Sequence, residues 1–330
     1  MQRRQLGRNG PKVSALGLGA MGMSGVYGTA DRQESLVTIR AALDAGVTLI
    51  DTGDFYGMGH NEVLIGEALK GVPRDEFLVS VKFGALRDPA GGWSGYDARP
   101  QAVKNFLAYS LQRLGLGYID VYRPARVDPN VPIEDTLGAI ADMVRAGYVR
   151  YIGLSEAGAK TLRRAAAVHP ISDLQIEYSL LSRGIEDEIL PTVRELGIGV
   201  SAYGVLSRGL LSGRWRKDAI APGDSRASSP RFQGTNVDAN LALVEGLREV
   251  AKAKGFSVAQ VAIAWVAAQG GDIVPLVGAR RRDHLAEALG GLDLKLSSAD
   301  LTAIERAVPK NAAAGARYPA PHMAHLDSEK

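Results

Sequence analysis

The sequence predicts an α/β protein of the (β/α)₈ class, a TIM barrel with long active-site loops and an extra helix before its last strand. Eight short apolar runs each precede an amphipathic segment. This alternation is typical of parallel strands with helices packed outside them. The predicted strands are residues 16–20, 47–50, 77–81, 118–122, 149–154, 173–176, 198–202 and 273–277.

The helical segments support the same class. Several end on a glycine, as at Gly115 and Gly197, which is a common way to stop a helix. The predicted helices are residues 32–45, 62–69, 100–114, 133–146, 159–168, 185–196, 239–254, 258–268 and 284–289. Because 239–254 and 258–268 both precede the last strand, one connection carries an extra helix.

An open, doubly wound sheet is the alternative class. Residues 17–22, GLGAMG, match the letters of the G-x-G-x-x-G dinucleotide fingerprint. That fingerprint should open a helix directly and be followed by an acidic ribose ligand about twenty residues later. Here a loop of about ten residues follows, and no such acid stands out. We therefore interpret the motif as a barrel strand running into a loop.

Composition narrows the functional classes. The chain has 330 residues, 46% of them hydrophobic, a net charge of +3 and no cysteine. Disulfides, thiolate metal sites and a cysteine nucleophile are excluded, and we predict no metal site. Basic residues are scattered apart from residues 280–282, so no nucleic-acid partner is expected. Without a signal peptide or a long apolar run, we predict a soluble, cytoplasmic protein with no membrane partner.

A single domain spanning residues 1–330 is expected. Residues 206 to about 237 lack periodicity, and a long irregular stretch in a compact domain is often a functional lid. The tail from about residue 309 is expected to be peripheral and poorly ordered at its end. The sequence does not indicate an oligomeric state.

Polar residues at the strand ends carry the chemistry, since that is where (β/α)₈ enzymes place their functional side chains. Lys82 lies inside an apolar strand, which is costly unless a carboxylate meets it, and Asp51 ends the neighbouring strand. A cation near Tyr56, five residues after Asp51, would lower the pKa of the phenol and tune it for proton transfer. The alternative is a structural ion pair beside a tyrosine that packs on the rim.

These residues resemble the aldo-keto reductase family, whose catalytic tetrad is Asp, Tyr, Lys and His. The resemblance covers nearly the whole chain, including DTGDFYG at 51–57, FLVSVK at 77–82 and AYGVLSRGLLSG at 202–213. It implies that Asp51, Tyr56 and Lys82 are catalytic. Residues 19–24, GAMGMS, and Ser155-Glu156 are similar to the branch that includes pyridoxal reductases.

The resemblance also implies an NADPH site. Ser155 and Gln175 would bind the nicotinamide carboxamide, and Tyr203 would stack on the ring. Arginines at a helix start suit the 2′-phosphate because guanidinium binds phosphate in bidentate fashion. The alternative for the arginines is a solvated basic helix start. The full set of cofactor residues expected is Gly22, Asp51, Ser155, Gln175, Tyr203, Gly204, Leu206, Gly209, Leu210, Gly213, Gly278, Arg280, Arg281, His284 and Glu287.

One tetrad position departs from the family. Relatives read YQHRVDP where this chain has RPARVDP, so the histidine position falls on Ala125. Arg123 or Arg126 could supply the missing donor to the substrate oxygen. Tyr27 and Trp93 lie on βα loops and are candidate walls of the substrate pocket, although either could be rim packing.

Two functions follow. The first is NADPH-dependent reduction of a small aldehyde or ketone, with Tyr56 as the general acid. The second is an NADP(H)-binding sensor or partner module with little turnover, as in the potassium-channel β subunits that the chain also resembles. The retained Asp51, Tyr56 and Lys82 favour the enzyme.

Overall fold

The computed structural model describes residues 1–220 and 223–330, and its central feature is a closed barrel of eight parallel strands. Each strand pairs with the next along the chain, and the last pairs with the first where Leu276 lies opposite Gly17. The predicted TIM barrel is therefore confirmed. The strands are β1 (Gly17–Gly19), β2 (Leu49–Gly53), β3 (Leu78–Phe83), β4 (Ile119–Pro124), β5 (Val149–Ser155), β6 (Ile171–Glu177), β7 (Gly199–Tyr203) and β8 (Ile273–Gly278).

Helices surround this barrel, close to their predicted bounds. Most begin and end within two residues of the prediction, but residues 185–196 do not form one helix. A 3₁₀ turn at Gly184–Glu186 precedes the helix, because Pro191 is tolerated only in a first helical turn. The first six helices are α1 (Arg32–Asp44), α2 (His60–Ala68), α3 (Pro100–Leu114), α4 (Ile133–Arg145), α5 (Ala159–Val168) and α6 (Ile189–Leu196).

The extra helix before the last strand is present. After β7 come short 3₁₀ turns, then α7 (Gly234–Lys254) and α8 (Val258–Ala268), followed after β8 by α9 (Arg282–Gly290). The helix α7 begins inside the segment predicted as a loop, of which residues 221 and 222 lie outside the described ranges. A capping box between Ser257 and Gln260 starts α8, which is buried on most sides because α7 and α9 flank it.

Two hairpins that the sequence did not reveal sit at opposite ends of the barrel. Strands Arg3–Gln5 and Lys12–Ser14 pair antiparallel and cover the end where the barrel strands begin. Arg4 Nη2 donates to the carbonyl of Ala267 at 2.8 Å. The second hairpin, Ala85–Arg87 with Trp93–Tyr96, follows β3 and stands at the other end, the mouth.

The C-terminal tail is not peripheral, which corrects the prediction. After α10 (Ser298–Ala307), the chain crosses to the mouth and forms a short helix, α11 (Ala320–Met323). The backbone N–H of Ser328 donates to the carbonyl of Glu156 at 3.0 Å, and Asp327 accepts from the Gly158 N–H at 2.8 Å. The tail is therefore fixed beside the end of β5.

Among the residues that the structure describes, no helix combines the length and apolar character needed to cross a membrane.

Candidate active site

A buried ion pair between Asp51 of β2 and Lys82 of β3 lies at the mouth of the barrel. Lys82 Nζ is 2.5 Å from Asp51 Oδ2, and both side chains are almost completely buried. Asp51 Oδ1 accepts hydrogen bonds from Ser80 Oγ at 2.9 Å and from Gln175 Nε2 at 2.7 Å. Buried charges are tolerated when their remaining hydrogen-bonding positions are filled, and these donors fill them for Asp51. The pairing expected from the sequence is present.

Tyr56 lies directly beside this pair, at the start of a 3₁₀ turn after β2. Its ring centroid is 5.0 Å from Lys82 Nζ, and Phe55 packs edge-on against it at 4.8 Å. The turn bends sharply because Gly57 and Met58 both adopt left-handed backbone, with φ of 55° and 51°. This bend keeps the phenol at the mouth.

The pKa of the Tyr56 phenol is raised, whereas the sequence predicted that it would be lowered. Burial, followed by the charge of Asp51, raises this pKa well above its usual value, and the positive charge of Arg126 opposes the rise. Burial also lowers the pKa of Lys82, against the attraction of Asp51. The phenol is therefore protonated at neutral pH, and Lys82 does not reverse the effect of burial.

Arg123 does not lie at the mouth, which corrects its assignment as a substrate residue. It is only 1% exposed and points into the barrel interior, where its guanidinium pairs with Asp173 at 2.8 Å. The sequence prediction ended the fourth strand at residue 122, whereas β4 continues to Pro124. The period-two alternation of a strand then turns Arg123 inward, since Tyr122 faces outward and its hydroxyl donates to the Val103 carbonyl.

Arg126 remains at the mouth, half-buried, after the end of β4. Ala125, where the family resemblance leads us to expect the tetrad histidine, is buried, and its N–H donates to the Phe83 carbonyl at 2.8 Å. Arg126 Nη1 donates to the Ala125 carbonyl at 2.6 Å. Among the described residues, no carboxylate forms an ion pair with Arg126. This guanidinium is therefore a donor without an anionic partner near Tyr56.

The two expected pocket walls lie on different sides of the mouth. Trp93, on the second hairpin, packs edge-on against Phe55 at 5.5 Å and is 47% exposed. Tyr27 is enclosed by loops, and burial raises the pKa of its phenol to about 12. Trp93 is thus beside Tyr56 through Phe55, whereas Tyr27 lies under Arg226, whose guanidinium is 5.4 Å from its ring.

The expected nicotinamide residues occupy the ends of adjacent strands. Ser155 ends β5 opposite Gln175 of β6, and Tyr203 ends β7 opposite Glu177. Ser155 Oγ is buried, and none of the residues that the structure describes forms a hydrogen bond with it. An orphaned buried hydroxyl costs free energy, so a ligand group that bonds to it is favoured.

Glu156, directly after Ser155, anchors the tail. The sequence patterns did not predict this role. It is completely buried with a left-handed φ of 51°, and its carboxylate pairs with Arg317 at 2.7 Å. Ser328 Oγ donates to it at 2.6 Å. Burial opposes ionisation, but Arg317 outweighs it and lowers the pKa of Glu156 to about 2. A charged residue ending an apolar strand was the available signal that a distant cation must meet it.

The segment expected to wrap the pyrophosphate has repeated left-handed backbone. Positive φ occurs at Gly204, Ser207, Arg208, Gly209 and Gly213. Such backbone can aim successive N–H groups at an anion. Leu206 is half-buried, and Leu210 is part of the core and anchors the segment. Arg208 lies 4.3 Å above the ring of Tyr318, which connects this segment to the tail.

The arginines expected at the 2′-phosphate have unequal surroundings. Arg280 Nη1 donates to the carbonyls of Tyr27, Gly28 and Thr29 at 3.2 to 3.4 Å, so it supports that loop. Arg281 is exposed and pairs with Asp283 at 2.7 Å. Two further residues expected at the cofactor lie on α9. The backbone N–H of His284 donates to Asp283, and Glu287 pairs with Arg214 at 3.0 Å.

Two expected cofactor glycines lie at the end of β8 and in the loop after β1. A Cβ placed on Gly278, at the end of β8, would meet only the Gly19 carbonyl, at 3.7 Å. A Cβ on Gly22 would be 3.4 Å from Cγ of Arg280. The backbone of Gly278 is therefore accessible to a ligand, whereas Gly22 packs against the side chains of Arg280 and Tyr27.

A (β/α)₈ barrel with a buried Lys–Asp pair, an adjacent tyrosine and an orphaned hydroxyl defines a class of barrel oxidoreductase. Comparison with known sequences agrees: the Aldo/keto reductase family matches residues 15–309. The chain belongs to this family, whose members bind a nicotinamide cofactor and act on small carbonyl compounds.

Individual relatives cover almost the whole chain. It is 41% identical over 321 residues to the probable aldo-keto reductase 1 of Glycine max, spanning 96% of this chain and 92% of that protein. The glycerol dehydrogenase AKR11B4 from Gluconobacter oxydans superposes with a TM-score of 0.85 at 29% identity, over 94% of this chain and 95% of that one. The thermostable aldo-keto reductase Tm1743, solved with the inhibitor epalrestat, superposes with a TM-score of 0.73 at 28% identity. This match covers 93% of this chain and 100% of that one.

Proposed function

We propose that the protein reduces an aldehyde or ketone to an alcohol with NADPH, by hydride transfer and with Tyr56 as the general acid. The observation that carries this proposal is the buried Asp51–Lys82 pair with the Tyr56 ring 5.0 Å from the ammonium. A module that only bound nucleotide would have no need of a phenol beside a buried ammonium.

The residues present fit a nicotinamide cofactor. The Ser155 hydroxyl, which lies opposite Gln175, would form a hydrogen bond with the carboxamide. Tyr203 would offer its ring face, and the left-handed run from Gly204 to Gly213 would approach the pyrophosphate. When bound, the nicotinamide supplies the hydride to the substrate carbon.

The protein's own residues handle the proton. Tyr56 starts protonated, because its pKa lies above neutral, and gives its proton to the carbonyl oxygen as the hydride arrives. The positive charge of Lys82 then stabilises the phenolate that remains, and Asp51 keeps Lys82 in place. Arg126 takes the role of the missing imidazole and donates to the same oxygen, a role that Arg123 cannot fill from the barrel interior.

Preference for NADPH over NADH rests on Arg280 and Arg281 at the start of α9. The 2′-phosphate would replace Asp283 as the partner of Arg281. We also place the protein near the pyridoxal-reductase branch, on the sequence GAMGMS and on Ser155-Glu156.

The deciding experiment is NADPH oxidation with a panel of aldehydes and ketones. We expect turnover in the parent, none in Tyr56→Phe, and NADPH affinity within a few-fold in both. Tyr109→Phe is the matched control, because Tyr109 is exposed on α3 away from the mouth. Turnover in Tyr56→Phe would contradict the acid assignment. Tight NADPH binding without turnover on any carbonyl would instead favour the sensor module.

A further inference from the structure

A network of buried polar side chains crosses the barrel interior next to the catalytic pair. Arg123 of β4 donates through Nη2 to Ser80 Oγ at 2.9 Å and through Nη1 to Asp173 Oδ2 at 2.8 Å. Asp173 of β6 also accepts from Ser201 Oγ at 2.5 Å and Ser172 Oγ at 3.0 Å. The guanidinium is thereby held at both ends.

Ser80 connects this network to Asp51. A hydroxyl has one proton and two lone pairs, so the role of each bond can be assigned. Arg123 has only donors, which means that Ser80 accepts from it and must point its own proton elsewhere. That proton goes to Asp51 Oδ1, 2.9 Å away. The guanidinium therefore fixes the direction of the Ser80 hydroxyl.

A glycine on the intervening strand makes room for this arrangement. Gly153 of β5 lies between Arg123 on β4 and Asp173 on β6. A Cβ there would be 2.8 Å from Asp173 Oδ1 and 3.0 Å from Arg123 Cζ. The missing side chain is what lets the guanidinium cross β5 to reach its carboxylate.

We propose that Arg123 is a positioning residue for the reaction: through Ser80 it orients the Asp51 carboxylate and so fixes Lys82 beside Tyr56. It touches neither substrate nor cofactor. The inference rests on the proposed function for its kinetic consequence, but the orientation of Asp51 and the charge felt by Lys82 can be measured without turnover.

The charge of Arg123 also acts on Lys82. Four groups face the Lys82 ammonium: Asp51 from β2, Arg123 from β4, Arg126 after β4, and the Tyr56 ring. Burial lowers the pKa of Lys82 most, Asp51 opposes this, and both arginines lower it further. Removing Arg123 together with Asp173 is therefore expected to raise the pKa of Lys82, because the positive charge of Arg123 is one of the causes that lower it.

The test replaces the ion pair by apolar residues of similar size, Arg123→Met with Asp173→Leu. Removing both partners avoids leaving one buried charge unpaired. We expect kcat to fall about tenfold or more, as small misplacements of catalytic groups do, with the Kd for NADPH unchanged. The basic limb of the profile of kcat against pH should move to higher pH. Titration of ¹³C-lysine-labelled protein by NMR, without cofactor, should show the same upward shift for Lys82.

Two further variants separate positioning from stability. Ser80→Ala breaks the link to Asp51 while keeping the Arg123–Asp173 pair, so it should lower kcat in the same direction even if the double variant folds poorly. Arg74→Met with Asp120→Leu is the matched control, because that pair also lies near β3 and β4 but at the far end, at 2.6 Å. It should leave kcat and the Lys82 titration unchanged.

The outcomes are distinguishable. A double variant with normal kcat and an unmoved Lys82 titration would overturn the positioning role and leave a purely structural ion pair. If the parent itself reduced no carbonyl, the proposed function would fail, and the Lys82 titration would still decide the inference. An unchanged kcat in Ser80→Ala would contradict the route from Arg123 through Ser80 to Asp51.

Discussion

The hydroxyl of Tyr203 donates a 2.7 Å hydrogen bond to Oε1 of Glu156, the same carboxylate that Arg317 of the tail neutralises. The Tyr203 hydroxyl also lies 2.9 Å from that of Tyr318. The ring proposed to stack on the nicotinamide is therefore held by a buried acid on one side and by the tail on the other. We therefore expect order in the tail and order at the proposed cofactor site to be coupled through Glu156.

The first prediction tests this coupling with Glu156→Gln. Losing the charge removes the completely buried partner of Arg317, which is only 10% exposed, and leaves it Glu329 at 2.7 Å and Glu177 at 3.4 Å. Removing one partner from a buried ion-pair network is destabilising, so the tail should be held less tightly. We expect faster hydrogen exchange in residues 320–329 and faster NADPH release. Glu134→Gln, which removes an exposed partner of Arg164, should change neither. An unchanged tail in Glu156→Gln would contradict the coupling.

The second prediction concerns cofactor choice. A charge-assisted phosphate contact contributes roughly 1.5–3 kcal/mol, so Arg281→Ala should weaken NADPH binding by about tenfold or more and leave NADH unchanged. Arg280→Ala should weaken both, because Arg280 also holds the carbonyls of residues 27–29. Arg282→Ala is the control, since Arg282 pairs with Glu34. Equal losses of the two cofactors in Arg281→Ala would indicate a structural role. Fluorescence titration measures each affinity.

The third prediction addresses position 125, where the family resemblance leads us to expect a histidine. A donor at a developing oxyanion can be worth about 10²–10³ in rate, so Ala125→His would help if only a donor had been lost. Ala125 is 2% exposed, however, so an imidazole there has to displace neighbouring atoms. We expect no gain with small aldehydes and a loss similar to that of Ala125→Leu, which adds bulk without a donor. A tenfold or greater gain in kcat for Ala125→His alone would contradict a rebuilt oxygen site.

The fourth prediction is a pH effect on stability. Burial and nearby Glu62 raise the pKa of Asp54 from its usual range to about 7. The folded protein therefore binds a proton that the unfolded chain releases near pH 4, so this contribution is present at low pH and lost as pH rises towards 7. The loss is about 1.4 kcal/mol per pH unit.

Asp54→Asn should remove this dependence, because the amide oxygen can still accept from the Gly84 N–H. Urea titrations measure the free energy of unfolding of both proteins. The difference, variant minus parent, should increase between pH 4 and 7 and be constant above pH 7. Asp44→Asn, at an exposed position that ends α1, should follow the parent curve. A difference that is constant with pH would contradict the raised pKa of Asp54.

Sequence patterns predicted the features that depend on the spacing of nearby residues. The alternation of apolar runs predicted the barrel, and the location of functional side chains at strand ends predicted that Asp51 would meet Lys82. Arg123 was misassigned because strand ends are the least certain part of such a prediction, and two more residues of β4 reverse the direction of its side chain. The Glu156–Arg317 pair joins residues 161 positions apart, which no periodicity encodes.

The N-terminal hairpin and the C-terminal tail cover opposite ends of the barrel, and this decides how the protein can be handled. A purification tag or fluorophore attached before Met1 would extend from the end where the strands begin, away from Tyr56. The same attachment after Lys330 would follow Glu329 and Ser328, which bond to Arg317 and Glu156 beside the mouth. Immobilised or labelled protein should therefore be joined on the side of Met1, so that the bonds of Ser328 and Glu329 stay intact.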